Sequence, residues 1–174
     1  MNLETRPNHA MDEPATVEAH SRTPSWMRWA TVCLIAFVVV IADQWTKMWI
    51  RSWLPLGGSR CIFDGILWFT HIQNPGGAFG LFPNAPYAFL AGAIIVLVLF
   101  IIWGRQAIQR HWLACIALGL LLGGGMGNSI DRVIYGYVTD FIDVRIWPVF
   151  NIADSALSIG AVMIALFIWF HERR

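Results

Sequence analysis

The chain has 174 residues, 57% of them hydrophobic and 13% charged, with ten tryptophans and a formal net charge of +1. That composition lies outside the range of ordinary soluble domains and marks a membrane protein with room for one domain. A net charge this small gives no support for nucleic-acid binding, and Cys33, Cys61 and Cys115 show neither metal-ligand nor redox spacing.

Residues 1–25 are polar, with Pro7, Pro14 and Pro24 among scattered charges, and read as a disordered tail. The first apolar run starts late and no small-residue cleavage site follows it, so an uncleaved anchor is expected rather than a signal peptide. Four apolar segments follow, at about 27–50, 87–103, 112–130 and 149–170. The uncharged part of the first, 29–42, is shorter than the roughly 20 residues needed to span a bilayer. That helix must therefore carry Asp43 and Lys47 at one end. Tryptophans near the segment ends, including Trp26, Trp49, Trp103, Trp112, Trp147 and Trp169, fit interfacial belts.

Four spans put both termini on one side. Arg22, Arg28, Arg105, Arg110, Arg173 and Arg174 make that side cytoplasmic by the positive-inside rule, against Arg51, Arg60, Arg132 and Arg145 on the other. Asp43, Asp140 and Asp154 then all lie toward the outer face. The long loop 51–86 is not polar. Its CIFDGILWFTHI stretch sets Asp64-Gly65 between two β-prone runs, a hairpin signal, with an irregular loop as the plain alternative. An apolar sheet there would rest among lipid headgroups.

Several polar residues stand out against this background. Asp43 and Lys47 are four apart and share a helix face. A structural ion pair at the membrane edge is favoured over a catalytic Asp43. Asn74-Pro75-Gly76-Gly77-Ala78-Phe79-Gly80 is a glycine-rich stretch where a ligand can approach the backbone closely, and Asn74 would offer its amide to a peptide. Gly123-Gly124-Gly125-Met126-Gly127-Asn128 ends the third span, and its glycines suit tight helix packing. Asn128 and Arg132 share a face and read as polar members of a site. Asp131 reads equally well as half of an interfacial pair with Arg132.

The stretch 138–157 concentrates the chemistry. A carboxylate in or beside a span is costly, which makes Asp154, the only charged residue of 149–170, a functional candidate. Asp140 precedes it by 14 residues. On one helix the two would be about 20 Å apart, but Pro148 argues against a continuous helix. A turn near 145–148 would fold Asp140 back beside the first turn of the last span, with Asn151 three residues before Asp154. Two carboxylates so placed can share one proton, one acting as base and the other as acid. Asp143 points to the opposite side of an extended segment and reads as structural. In the plain alternative, Asp154 is a lone polar residue bonded to a neighbouring helix and Asp140 lies in a loop.

Five motifs occur in order: Asp43-Gln44-Trp45-Thr46-Lys47, Asn74-Pro75-Gly76-Gly77-Ala78-Phe79, Gly123-Gly124-Gly125-Met126-Gly127-Asn128-Ser129-Ile130-Asp131-Arg132, Val138-Thr139-Asp140-Phe141-Ile142-Asp143 and Phe150-Asn151-Ile152-Ala153-Asp154. Over roughly 26–170 the chain resembles the bacterial lipoprotein signal peptidases, also called signal peptidase II. The resemblance implies an all-α membrane protein of four transmembrane helices with a small β-hairpin or sheet on the outer, periplasmic face, the whole of 26–174 forming one peptidase domain. It implies an aspartyl endopeptidase of the inner membrane that cuts before the diacylglyceryl-modified cysteine of prolipoproteins. The catalytic pair maps to Asp140 and Asp154, and supporting residues to Asp43, Lys47, Asn74, Gly76, Asn128, Arg132 and Asn151. Membrane lipid is the surrounding partner, globomycin the expected inhibitor, and a monomer the expected state. Gly77 stands where the family usually has alanine, and the tail carries no family motif.

No cofactor is expected, since the five histidines do not cluster at metal spacing. The expected mechanism has one ionised aspartate polarising a water and the other, protonated, hydrogen-bonding the scissile carbonyl. The region 57–86 is a plausible lid over such a site. The alternatives are an ion-coupled transporter or channel subunit using Asp43 and Asp154 as a proton relay, and a purely structural subunit.

Overall fold

The computed structural model describes residues 24–76, 98, 108 and 111–171. The elements run α1 (Ser25–Trp53), β1 (Ser59–Phe63), β2 (Leu67–Asn74), α2 (Trp112–Tyr135), β3 (Val138–Asp143) and α3 (Ile152–His171). All three helices are long and apolar enough to cross a membrane. They correspond to the first, third and fourth expected spans. The second, 87–103, lies outside the described residues except for Val98, as do the tail up to residue 23 and most of the 57–86 region's second half.

The helices run past their apolar cores. α1 continues beyond Ile50 to Trp53, which brings Arg51 onto the helix. α2 continues beyond Ile130 to Tyr135 and stops at Gly136, whose φ of 78° is left-handed and whose N–H donates to the Arg132 carbonyl at 3.0 Å. Asp131 and Arg132 are thus within the helix. α3 starts only at Ile152, because residues 149–151 are used differently: Phe150 pairs with Ile142.

α2 lies between α1 and α3, and its glycines make that possible. Gly119, Gly123 and Gly127 recur every four residues on the face toward α1. A Cβ on Gly123 would stand 2.6 Å from the Val39 Cβ, and one on Gly127 would stand 2.6 Å from Asp43 Oδ2. Gly124 faces α3, where a Cβ would meet the Ala153 carbonyl at 2.5 Å. In a bilayer, such backbone approach supplies the van der Waals contact that holds helices together.

The strands form one antiparallel sheet in the order β1-β2-β3. The expected hairpin is present: Phe63 pairs with Leu67 around a turn in which Gly65 has φ 72°. The third strand was not anticipated. VTDFID pairs with β2 so that Ile72 opposes Asp140, Gln73 opposes Thr139 and Asn74 opposes Val138, with the register slipping between Phe69 and Ile72. The chain then bends through 145–147, where Arg145 takes a φ of 64°. Phe150 returns to exchange backbone bonds with Ile142 at 2.7 and 3.0 Å, which is the expected reversal ahead of the last span.

Aromatic packing fastens the sheet to α1. Trp49 and Trp53 stack at 5.0 Å, and Phe69 meets both edge-on at 5.8 and 6.4 Å and Phe141 at 6.0 Å. Ile50, Leu54 and Phe141 form the buried centre of this cluster. Buried His71 adds a polar tie, its Nδ1–H donating to the Leu54 carbonyl at 2.9 Å. A second apolar cluster of Val32, Ile108, Cys115 and Leu118 lies nearer the other end of α1.

Candidate active site

The site is built around the start of α3. Asn151 caps that helix: its Oδ1 accepts the Asp154 N–H at 2.9 Å, while Asp154 Oδ2 accepts the Asn151 N–H at 3.2 Å. This reciprocal capping box satisfies backbone donors that a helix start otherwise leaves open. Asp43, arriving from α1, takes another: its Oδ1 accepts the Ala153 N–H at 3.0 Å. Carboxylates at a helix N-terminus are also favoured by its dipole. Asp43 and Asp154 thus both have a local structural reason for their positions.

Asp140 reaches the same place from β3. Its Oδ1 accepts from Asn151 Nδ2 at 2.7 Å and its Oδ2 from Asn74 Nδ2 at 3.0 Å. Asp154 Oδ1 accepts from Asn128 Nδ2 at 2.8 Å. Asn151 therefore bonds both carboxyl groups, and its Nδ2 also lies 3.1 Å from Asn128 Oδ1. Asp140 is 3% exposed, whereas Asp154 is only partly buried. Burial first, then repulsion from Asp154, pushes the Asp140 carboxyl up to about 7, against the opposing hydrogen bonds from Asn74 and Asn151.

Beneath this pair lies a charge network wholly out of solvent. Lys47 Nζ meets Asp43 Oδ2 at 2.8 Å, Asp131 Oδ2 at 3.2 Å and Asn128 Oδ1 at 3.0 Å, three acceptors for the three donors of an ammonium. Lys47, Asp43 and Asp131 are all 0% exposed. The Asp43–Lys47 pair was expected from the spacing, and it forms the buried floor of the site. Because Lys47 and Asn151 both donate to Asn128 Oδ1, the amide must turn its Nδ2 toward Asp154.

One of the two readings of Asp131 is excluded. Asp131 does not pair with Arg132, because consecutive helix residues do not face each other. It pairs with Lys47 and, at 3.5 Å, with Arg51. Asn74 turns toward the site: its Nδ2 donates to Asp140 at 3.0 Å and its Oδ1 accepts the Gly76 N–H at 3.1 Å. Arg132 stands above, its Nη1 3.3 Å from the Asn128 carbonyl and its Nη2 3.4 Å from that of Gly76, its buried Nε having no hydrogen-bond partner among the described residues. Asp143 lies apart, as expected, accepting from Thr70 Oγ1 at 2.8 Å and the Arg145 N–H at 2.9 Å.

Three residues of the network escaped the sequence reading. Gln44 donates toward the Gly127 carbonyl at 3.0 Å and Asp131 Oδ1 at 3.3 Å; a polar amide within a span was the available signal. Arg51 counted there only as a loop charge, and Thr139 only as a member of a motif.

Comparison with known proteins identifies relatives of the chain. A family model described as signal peptidase (SPase) II matches residues 35–170. The lipoprotein signal peptidase of Halothermothrix orenii is 34% identical over 142 residues, covering 82% of this chain and 97% of its own. That of Geobacillus thermodenitrificans is 40% identical over 141 residues, covering 79% and 88%. Two solved bacterial membrane enzymes superpose with TM-scores of 0.75 and 0.73 at 36% and 37% identity, each covering 80% of this chain and 88% and 92% of their own. An integral membrane protein with these helices, this polar centre and these relatives belongs to the signal peptidase II family.

Proposed function

We propose that this chain is an aspartyl endopeptidase that removes the signal peptide from diacylglyceryl-modified prolipoproteins, cutting before the lipidated cysteine. Family membership carries the removal of signal peptides from prolipoproteins and gives no support to a transporter. The observation that supports the aspartyl mechanism is that Asn151 bonds both carboxyl groups, its Nδ2 donating to Asp140 Oδ1 and its backbone N–H to Asp154 Oδ2. Asp140, the more buried, holds the proton and hydrogen-bonds the scissile carbonyl. Asp154, bonded at both oxygens by N–H groups and seated at a helix N-terminus, acts as the base that polarises the attacking water. Attack gives a tetrahedral gem-diol with no acyl-enzyme; the proton that Asp154 takes from the water passes to the scissile nitrogen, the C–N bond breaks, and the signal peptide leaves with a new carboxyl group. Asn74, Asn128 and Asn151 hold the two carboxyls, while Arg132 faces the substrate backbone. Both termini are cytoplasmic, the site opens toward the outer face of the cytoplasmic membrane, and the lipid chains of the substrate stay in the bilayer during cleavage. A cyclic peptide of the globomycin type would compete for the same site.

The test is cleavage of a diacylglyceryl-modified prolipoprotein in detergent or lipid by the wild type, Asp140→Asn and Asp154→Asn, each checked for folding. The wild type cuts before the lipidated cysteine and both folded variants are inactive. Near-normal cleavage by either folded variant removes that aspartate from the pair.

A further inference from the structure

Thr139 precedes Asp140 on β3, is 0% exposed, and has each of its polar groups tied to a different part of the protein. Its N–H donates to Asp131 Oδ2 on α2 at 3.0 Å. Its Oγ1 accepts from Arg51 Nη1 on α1 at 2.9 Å. Its carbonyl lies 3.3 Å from Asn151 Nδ2, just ahead of α3. The partners are themselves held. Arg51 pairs with Asp131 at 3.5 Å and lies over the Tyr135 ring at 4.5 Å, and Asp131 is anchored by Lys47.

This arrangement matters because the sheet alone sets Asp140 loosely. β3 is an edge strand, and its register with β2 slips between Phe69 and Ile72, just before the pair that contains Asp140. Asn151 touches both the Thr139 carbonyl and Asp140 Oδ1, so a shift of Thr139 reaches the carboxyl through backbone and amide together.

Resting on the reading of Asp140 as catalytic, we propose that Thr139, clamped by Arg51 and Asp131, is a positioning residue that sets the aim of the Asp140 carboxyl. The hydroxyl is the element that can be removed without disturbing the backbone bonds. Misplacement of a reacting group by about 1 Å costs on the order of a hundredfold in rate, and a partial slackening correspondingly less.

The experiment measures kcat and KM of the full-length protein on a diacylglyceryl-modified prolipoprotein for Thr139→Val, Thr139→Ser, Arg51→Met and Asp140→Asn. Thr139→Val, which keeps the shape but not the hydroxyl, lowers kcat about tenfold and leaves KM within about twofold. Thr139→Ser restores most of the loss. Arg51→Met reads the same contact from the other side, so the clamp stays testable if Thr139→Val does not fold, and the double variant is no slower than the worse single one. Wild-type kcat in Thr139→Val or Arg51→Met, with Asp140→Asn inactive, overturns the clamp and leaves the catalytic reading intact. Equal losses in the valine and serine variants also overturn it. An active Asp140→Asn overturns the catalytic reading instead.

Discussion

Replacing Lys47 by methionine probes the floor of the site most directly. Lys47 is 0% exposed and neutralises two carboxylates, Asp43 and Asp131, that are 0% exposed as well. Methionine fills similar space but supplies no charge and no donor. The lost hydrogen bond to Asn128 is worth about 1 kcal/mol. The larger effect is the two carboxylates left buried without their cation, since removing one partner of a buried ion pair costs about 3–5 kcal/mol. Interhelical polar contacts in membranes average smaller values, about 0.6 kcal/mol, where the alternative state finds other partners. Arg51 is the only other cation within ion-pair distance of Asp131 among the described residues, and none but Lys47 is that close to Asp43, so the larger figure applies. At about 2–4 °C per kcal/mol, the unfolding midpoint falls by roughly 10 °C. Asn128 also loses the contact that fixes its amide, so cleavage falls more than the folded fraction does. The assay is thermal unfolding in detergent followed by intrinsic tryptophan fluorescence, with cleavage measured below the transition. A midpoint within about 2 °C of the wild type would refute the claim that Lys47 neutralises this floor.

The remaining predictions address the helix contact and the proton. Gly127→Ala places a Cβ 2.6 Å from Asp43 Oδ2, displacing Asp43 from Lys47 and from the Ala153 N–H. It costs about 2–4 kcal/mol in stability, read by the same unfolding assay. Since Asp140 is raised from 3.8 to about 7, it holds its proton below that value and loses it above. The kcat/KM profile therefore falls as pH rises through about 7. Between the ordinary carboxylate value and about 7 the folded state binds more protons at Asp140 than the unfolded state does, so this residue's contribution to stability declines with rising pH across that window and levels off above it. Asn74→Ala removes a hydrogen bond that favours the charged form, so the falling limb moves to higher pH; an unmoved limb assigns it to another group.

The amino-acid sequence by itself determined the membrane setting, three of the described elements and the hairpin, because hydrophobic length and turn chemistry are local properties. It also marked Asp140 and Asp154, because a carboxylate beside or within an apolar run stands out and Pro148 breaks any single helix between them. Only the tertiary structure decided which groups meet. That Asp131 turns to Lys47 rather than to its neighbour Arg132 depends on how α1 lies against α2, which the glycine face permits but does not specify. That Asn74 serves Asp140, and that Thr139 is held from three directions, depends on β3 joining β2. The six residues of β3 carry no pattern that distinguishes a strand from a loop, and its pairing is settled by the sheet and by the reversal at Phe150. Hydrogen bonds between residues 66 and 88 positions apart have no signature in local sequence, since they depend on the directions of elements brought together only when the apolar faces pack.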